Sequence, residues 1–347
     1  MTKFEGSLLK AEIYKTYKGI GVNDDSAKLA AESMVQTSLR GVDSHGINLF
    51  PHYFRSFQSG RLNKNPNFQF HQTKGSTALL DADHALGHHS GIIAMDKCIE
   101  MANKNGIGAC TVTNSSHYGA SSFFGLHAAK KGYIGMSFTN ADALVKSHNG
   151  KQSFFGTNPI CFCAPLASEE PLCLDMATSL VSWNKIKNYR RADDSLEPHW
   201  AFDNNGNPVT NPHEAASLSP AGDYKGFGLG MMVEILCAML SGSVVAKDMM
   251  AMFTSPPEAQ RQVSHFFMAF DINSFSDKDI FTTNLTNMVH RLREESALGN
   301  DPVMAPGDPE KKTFIHRVQD GIPCFDEIIK EYTEINPEFT KCLINKL

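Results

Sequence analysis

Apolar residues recur at three- and four-residue spacing in some stretches of this chain and run together in short blocks in others, the mark of helices alternating with buried strands. Leu8 to Tyr17 reads as a helix that breaks at Gly19-Ile20-Gly21. Asp24 or Asp25 then caps a second helix, whose Ala27, Ala30, Ala31 and Met34 share a face and whose end near Arg40 is closed by Gly41. Ser76 to Leu80 has strand character, and Gly91 to Asn103 places Ile92, Met95, Ile99 and Ala102 on one helical face. Asn105-Gly106 stops that helix before a strand at Gly108 to Thr113. A second round follows: a helix at Ser121 to Lys131, a stop at Gly132, a strand from Tyr133 to Thr139 and an apolar run from Ile160 to Pro165.

Leu172 to Asp175 is a further short strand, and a helix runs on to Arg190. Residues 193 to 225, rich in Asp, Asn, Pro, Gly and Ser, read as a long irregular excursion that ends at the apolar helix Gly230 to Leu240. A strand at Phe266 to Asp271, a helix at Asp279 to Glu295, a loop at Asp301 to Glu310 and a helix at Asp326 to Thr333 complete the pattern. Such alternation predicts an α/β fold with helices on the faces of a sheet.

Composition narrows the function classes. The 347 residues suffice for two domains or one large α/β unit. Lys and Arg total 32 against 37 Asp and Glu, a net charge of −5, which argues against nucleic acid or an anionic membrane surface as a partner. The longest apolar stretch, around Val233 to Leu240, is too short for a bilayer span, and Met1 to Gly6 lacks the apolar core of a leader. A soluble, cytoplasmic protein is expected. The eight cysteines lie mostly in apolar runs without CxxC spacing; Cys161 and Cys163 share a strand face, with no second pair beside them. Reduced thiols are therefore expected, and neither a zinc site nor a disulfide framework.

Four segments carry candidate chemistry. Arg40-Gly41-Val42-Asp43-Ser44-His45-Gly46 sets a histidine after a helix stop, where it can transfer a proton near neutral pH or simply cap a backbone carbonyl. Asn114-Ser115-Ser116-His117-Tyr118-Gly119-Ala120 follows a strand, the place where open α/β sheets gather ligands, although Asn114 or Ser116 could equally cap a helix. Gly156-Thr157-Asn158-Pro159 and Asp175-Met176-Ala177-Thr178-Ser179 combine amides and hydroxyls that hold a phosphate or form ordinary turns. Tyr224-Lys225-Gly226-Phe227-Gly228-Leu229-Gly230 matches neither GxGxxG nor GxxxxGK[ST] and serves equally well as a flexible entry to the next helix. His84, His88 and His89 are the densest histidines, but no HExxH or carboxylate cluster accompanies them, so no metal is assigned. Trp183 and Trp200 read as core or interface filling.

In this order the segments resemble the type-2 malate/L-lactate dehydrogenase family, which includes ureidoglycolate dehydrogenase, sulfolactate dehydrogenase and diketogulonate reductase. The resemblance runs to the loop Pro306-Gly307-Asp308-Pro309-Glu310, nearly the whole chain. It implies an oxidoreductase that moves hydride between a nicotinamide, NAD in preference to NADP, and a small 2-hydroxy or 2-keto acid. It also implies a non-Rossmann cofactor fold, with a central mixed sheet flanked by helices and with the N- and C-terminal helices packed together. The expected division is residues 1 to 75 plus 275 to 347 as a helical frame, and 76 to 274 as the cofactor- and substrate-binding region. A homodimer is expected, since the family's sites lie near a subunit interface.

Carried over by position, His45 and His117 are the candidate acid/base residues, and Ser44, Tyr53, Asp142 and Asn158 candidate substrate contacts. Asp175, Met176, Ala177, Thr178, Lys225, Gly307 and Asp308 are candidate cofactor contacts. Two departures stand out. The family word SHGxxR places an Arg near the substrate carboxylate, whereas Ser44-His45-Gly46-Ile47-Asn48 here runs into Leu49; Asn184 stands where relatives carry Gly. A carboxylate in a dry site needs a cation or several donors. His52, Arg55 or Lys146 could supply that charge, the substrate could be neutral at that end, or the chain could be a binding protein with lost or altered turnover.

Overall fold

The computed structural model describes residues 2–344. The N-terminal arm is helical: α1 (Gly6–Gly19), α2 (Asp24–Leu39) and α3 (Phe50–Gln58). The cap of α2 is Asn23 rather than Asp24 or Asp25: its Oδ1 accepts from Ser26 N at 2.8 Å while its Nδ2 holds Lys64 O. The two aspartates fall in the first turn, where negative charge suits the helix dipole. Ala27, Ala30, Ala31 and Met34 are buried against Leu9, Ile13 and Tyr17 of α1.

The chain then builds a seven-stranded mixed sheet: β1 (Gln69–Lys74), β2 (Thr77–Asp81), β3 (Ile107–Ser115), β4 (Ile134–Thr139), β5 (Ile160–Ala164), β6 (Leu172–Met176) and β7 (Val263–Phe270). Their spatial order is β1-β2-β3-β7-β4-β5-β6, and only β2 and β3 run parallel. The late strand β7 is inserted antiparallel between β3 and β4. Helices α4 (Gly87–Asn105) and α5 (Ser122–Lys130) pack on the sheet. The mixed sheet without a Rossmann crossover pattern is the fold class expected.

Elsewhere the structure revises the expectations. Residues 193 to 225 are not irregular throughout: Ala201–Phe202, Pro208–Val209 and Ser217–Leu218 join Val145–Lys146 and Ser153–Phe155 in a small five-stranded sheet. Its own core of Val145, Ile186, Leu196, Ala201 and Leu218 explains why so polar a segment is ordered. Helix α6 (Trp183–Ala192) packs on it; α7 (Tyr224–Glu234) begins six residues before the expected start and passes into a π-helical turn, Ile235–Met239. Two helices were not foreseen in the pattern, α3 and α9 (Asp308–Asp320); α8 (Lys278–Arg293) and α10 (Asp326–Ile335) were.

The ends of the chain meet. Thr2–Phe4 pairs with both Ile322–Cys324 and Leu343–Ile344, and Phe4, Phe50, Tyr332 and Phe339 form one aromatic core with α1 to α3. The expected boundary at residue 75 falls inside the β1–β2 hairpin, where Gln69 pairs with Asp81. No described helix is long and apolar enough to cross a membrane.

Candidate active site

One large cavity, about 1140 Å³, opens between the N-terminal arm, the sheet edge and the small five-stranded sheet. Ser44, His45 and His117 line one region of it; Cys173, Asp175, Gly307 and Lys311 line another. His45 arrives on the short turn after α2, a turn pinned by Gly46, where an added Cβ would lie 2.2 Å from Ser38 Oγ. His117 follows β3 and is set by Gly119, whose φ of +75° disfavours a side chain and where an added Cβ would lie 2.6 Å from His88 Nε2.

The two imidazoles stack with centroids 5.7 Å apart. Ser44 Oγ lies 2.8 Å from His45 Nδ1. Tyr53 Oη lies 2.6 Å from His117 Nδ1, which also accepts the Gly119 amide at 3.3 Å. An amide can only donate, so neutral His117 carries its proton on Nε2. His45 has the opposite option: with Ser44 accepting from Nδ1–H, its Nε2 is a free acceptor. Among the described residues neither Nε2 has a hydrogen-bond partner. Burial lowers the pKa of His45, and burial together with the neighbouring His45 ring and the Arg261 charge holds His117 well below the usual range. Both rings are neutral at pH 7.

At the other end Asp175 Oδ2 accepts the Ser122 amide at 2.7 Å, and enclosure by the cavity walls pushes its carboxyl up to about 6. Arg40 and Lys311 face this end from α2 and α9, each ion-paired, to Glu170 and Glu169 respectively. Cations, a carboxylate fit for ribose hydroxyls and the positive dipole end of α9 suit a dinucleotide phosphate and its sugar.

The candidate residues divide cleanly. Ser44, His45, His117, Asp142, Asp175, Ala177 and Gly307 lie in the cavity wall. Tyr53 stands behind His117. Asn158 is buried, donating to Gly230 O and Glu234 Oε2, both at 2.9 Å. Thr178 is buried on Thr157 O, Met176 closes the edge strand, and Asp308 faces Arg293. Lys225 is exposed on the first turn of α7, outside the cavity, because the glycine-rich word is part of the helix and not a cradle.

The three sequence candidates for a replacement cation also lie elsewhere: Arg55 pairs with Glu331 on the surface, Lys146 holds Gly150 O, and His52 packs on Phe253. Leu49 does line the cavity. Sequence reasoning missed Lys187, in the wall with its ammonium 4.5 Å from the Phe253 ring and no ion pair among the described residues, and the buried Arg261, paired with Asp142. Trp183, taken from sequence for filling, lines the cavity beside Asn184. His84, His88 and His89 do not converge: His89 bonds Ser26, and His88 is enclosed under Tyr53 with both ring nitrogens unpaired.

The cavity, with two histidines and a carboxylate in its wall, lies against a mixed sheet unlike the Rossmann one. A sequence profile of the malate/L-lactate dehydrogenase family matches residues 6–333, and the chain belongs to that family. It is 33% identical to a malate dehydrogenase of Pyrococcus abyssi over 91% of this chain and 89% of that protein. It is 31% identical to the NAD(+) ureidoglycolate dehydrogenase of Escherichia coli K12 over 89% and 88%. The crystal structure of malate dehydrogenase from Entamoeba histolytica superposes with a TM-score of 0.91 at 27% identity, covering 98% of this chain and 99% of that one.

Proposed function

We propose that this protein oxidises a small 2-hydroxy acid, or reduces the matching 2-keto acid, with NAD in preference to NADP as its partner. The observation that carries the reading is the pair of neutral, stacked imidazoles in the wall of a cavity that Asp175, Arg40 and Lys311 also line. Bound nicotinamide supplies the hydride acceptor or donor. His45 Nε2 takes the hydroxyl proton, while His117 Nε2–H donates to the same oxygen and holds it in place. Ser44 and Tyr53 fix the two rings through Nδ1.

The substrate carboxylate is met by Lys187. Lys187 lines the same cavity as His45 and His117, and its ammonium lies 4.5 Å from the Phe253 ring, which supports this role. Asp175, Lys311 and the start of α9 hold the cofactor. A homodimer is supported by the outer face of α7 and its π-helical turn, where Leu229, Met232, Ile235 and Met239 are all more than a third exposed.

The test is a fluorescence titration with NADH and NADPH, followed by absorbance assays with malate, lactate, sulfolactate and ureidoglycolate. NADH binding with turnover of one of these acids is expected. Absence of binding by either nucleotide at millimolar concentration overturns the reading, and binding without turnover of any substrate favours a binding protein that has kept the fold.

A further inference from the structure

Cys161, Cys163 and Cys173 come from two antiparallel strands, and their Sγ atoms all lie within 4.8 Å of one another. Cys163 and Cys173 are directly opposed in the β5–β6 register. The Cys173 amide donates outward, to Pro306 O, so the opposed residues form a non-hydrogen-bonded pair, the kind whose side chains approach most closely. Their Sγ atoms are 3.2 Å apart, with the Cys163 thiol donating to Cys173. The α-carbons of such a pair stand about 4.5 Å apart, inside the span a disulfide accepts, and closing the sulfurs to about 2.05 Å needs side-chain rotation only.

Access to the cluster is one-sided. Cys161 and Cys163 are wholly buried and press on Gly125 of α5, where an added Cβ would meet their sulfurs at 2.7 and 2.8 Å. Cys173 alone is partly exposed, and it lines the cavity. The neighbouring thiols hydrogen-bond its sulfur and the Arg40 and Lys311 charges face it, which favours its thiolate; burial keeps Cys163 protonated. No fourth His, Cys, Asp or Glu joins the three among the described residues, as a closed structural metal site would require.

We propose that Cys173 is a peroxide-reactive thiol and Cys163 its resolving partner, together forming a reversible disulfide in the wall of the cavity. In the first step the Cys173 thiolate attacks one oxygen of hydrogen peroxide. The O–O bond breaks, sulfenic acid forms, and the departing hydroxide takes a proton from solvent as water. In the second, the Cys163 sulfur attacks the sulfenic sulfur; an S–S bond forms, the S–O bond breaks, and the Cys163 proton leaves with the hydroxide as a second water. Two thiols lose two electrons and one peroxide gains them. Cys161 is not the resolving residue for Cys173: it stands opposite Asp175, so Cys173 directly faces Cys163 and meets Cys161 only on the longer diagonal.

The experiment treats the whole chain with hydrogen peroxide, counts free thiols and maps bridges by non-reducing peptide mass spectrometry. The expected result is loss of two of the eight thiols, a Cys163–Cys173 peptide link, and recovery of both thiols with dithiothreitol. Cys161→Ser retains the bridge. Cys163→Ser stops at sulfenic acid on Cys173, trapped by dimedone, and a thermal melt matching the parent certifies its fold. A protein that keeps all eight thiols overturns the proposal, as does a bridge that excludes Cys173. Stoichiometric zinc or copper held by the purified protein, released with loss of thiol protection, overturns it in favour of a metal site.

Discussion

Tyr53 Oη sits 2.6 Å from His117 Nδ1, and through it α3 sets the orientation of a ring that belongs to the loop after β3. Burial raises the pKa of the Tyr53 hydroxyl, so it stays protonated and can donate. Tyr53→Phe removes the oxygen and keeps the packing. We expect kcat to fall by about 5- to 30-fold with NADH affinity unchanged, because one hydrogen bond of about 1–2 kcal/mol no longer orients the ring. Unchanged kcat would show that the Gly119 amide suffices.

The two histidines are not equivalent, and their variants should separate. His45→Ala removes the proton acceptor and is expected to lower kcat by roughly 10² to 10⁴. His117→Gln keeps an N–H donor where His117→Ala keeps none, so the glutamine variant should retain more activity. Because burial lowers the His45 pKa, the base is free throughout neutral pH, and the acid limb of the oxidation rate falls below the ordinary imidazole value of about 6.5. An acid limb at or above that value, measured as kcat/KM against pH, contradicts the assignment.

Stability should fall as the solution is acidified. Burial pushes His88 and His265 down to about 3. The unfolded chain binds protons at these sites below about pH 6.5 while the folded chain does not, so stability rises with pH between about 3 and 6.5 and is flat above. By pH 5 each site costs on the order of 1–2 kcal/mol. Urea midpoints at pH 5 and 7 check the sign. His88→Leu, which also removes two unpaired buried nitrogens, should narrow the gap between them.

Much of this was legible in the sequence and some was not, for physical reasons. The face Ala27, Ala30, Ala31, Met34 and the stops at Gly106 and Gly132 are local signals, and the structure follows them. Helix α3 carries helical spacing at Phe50, Tyr53, Phe54 and Phe57, but Pro51 in its first turn reads as a break. Helix α9 has no buried residue, so no apolar stripe announces it. The cavity wall is a matter of tertiary register. Nothing near Cys163 in sequence points to Cys173, and nothing in the glycines around Lys225 tells that they are helical and outside the cavity. Lys187 looks like one more basic residue of a polar helix until Phe253 is placed beside it.

The cation for the substrate gives the last prediction. Leu49 lines the cavity where a family Arg is expected, and Lys187, without an ion pair among the described residues, lines the same cavity. Lys187→Met keeps most of the side chain's length and apolar contact with Phe253 while removing the charge. It should raise KM for a carboxylate substrate by about 10- to 100-fold, the worth of a charged hydrogen bond of roughly 1.5–3 kcal/mol, with less effect on kcat. Arg61 and Arg261 cannot substitute: the first spends its guanidinium on the carbonyls of Met252, Ser255 and Pro256, and the second on Asp142 and Met250 O. Leu49→Arg in the Lys187→Met background restores a charge to the cavity lining, so KM should recover by at least tenfold. If Lys187→Met leaves KM for every 2-hydroxy acid unchanged, the carboxylate is held by other donors and the assignment of Lys187 fails.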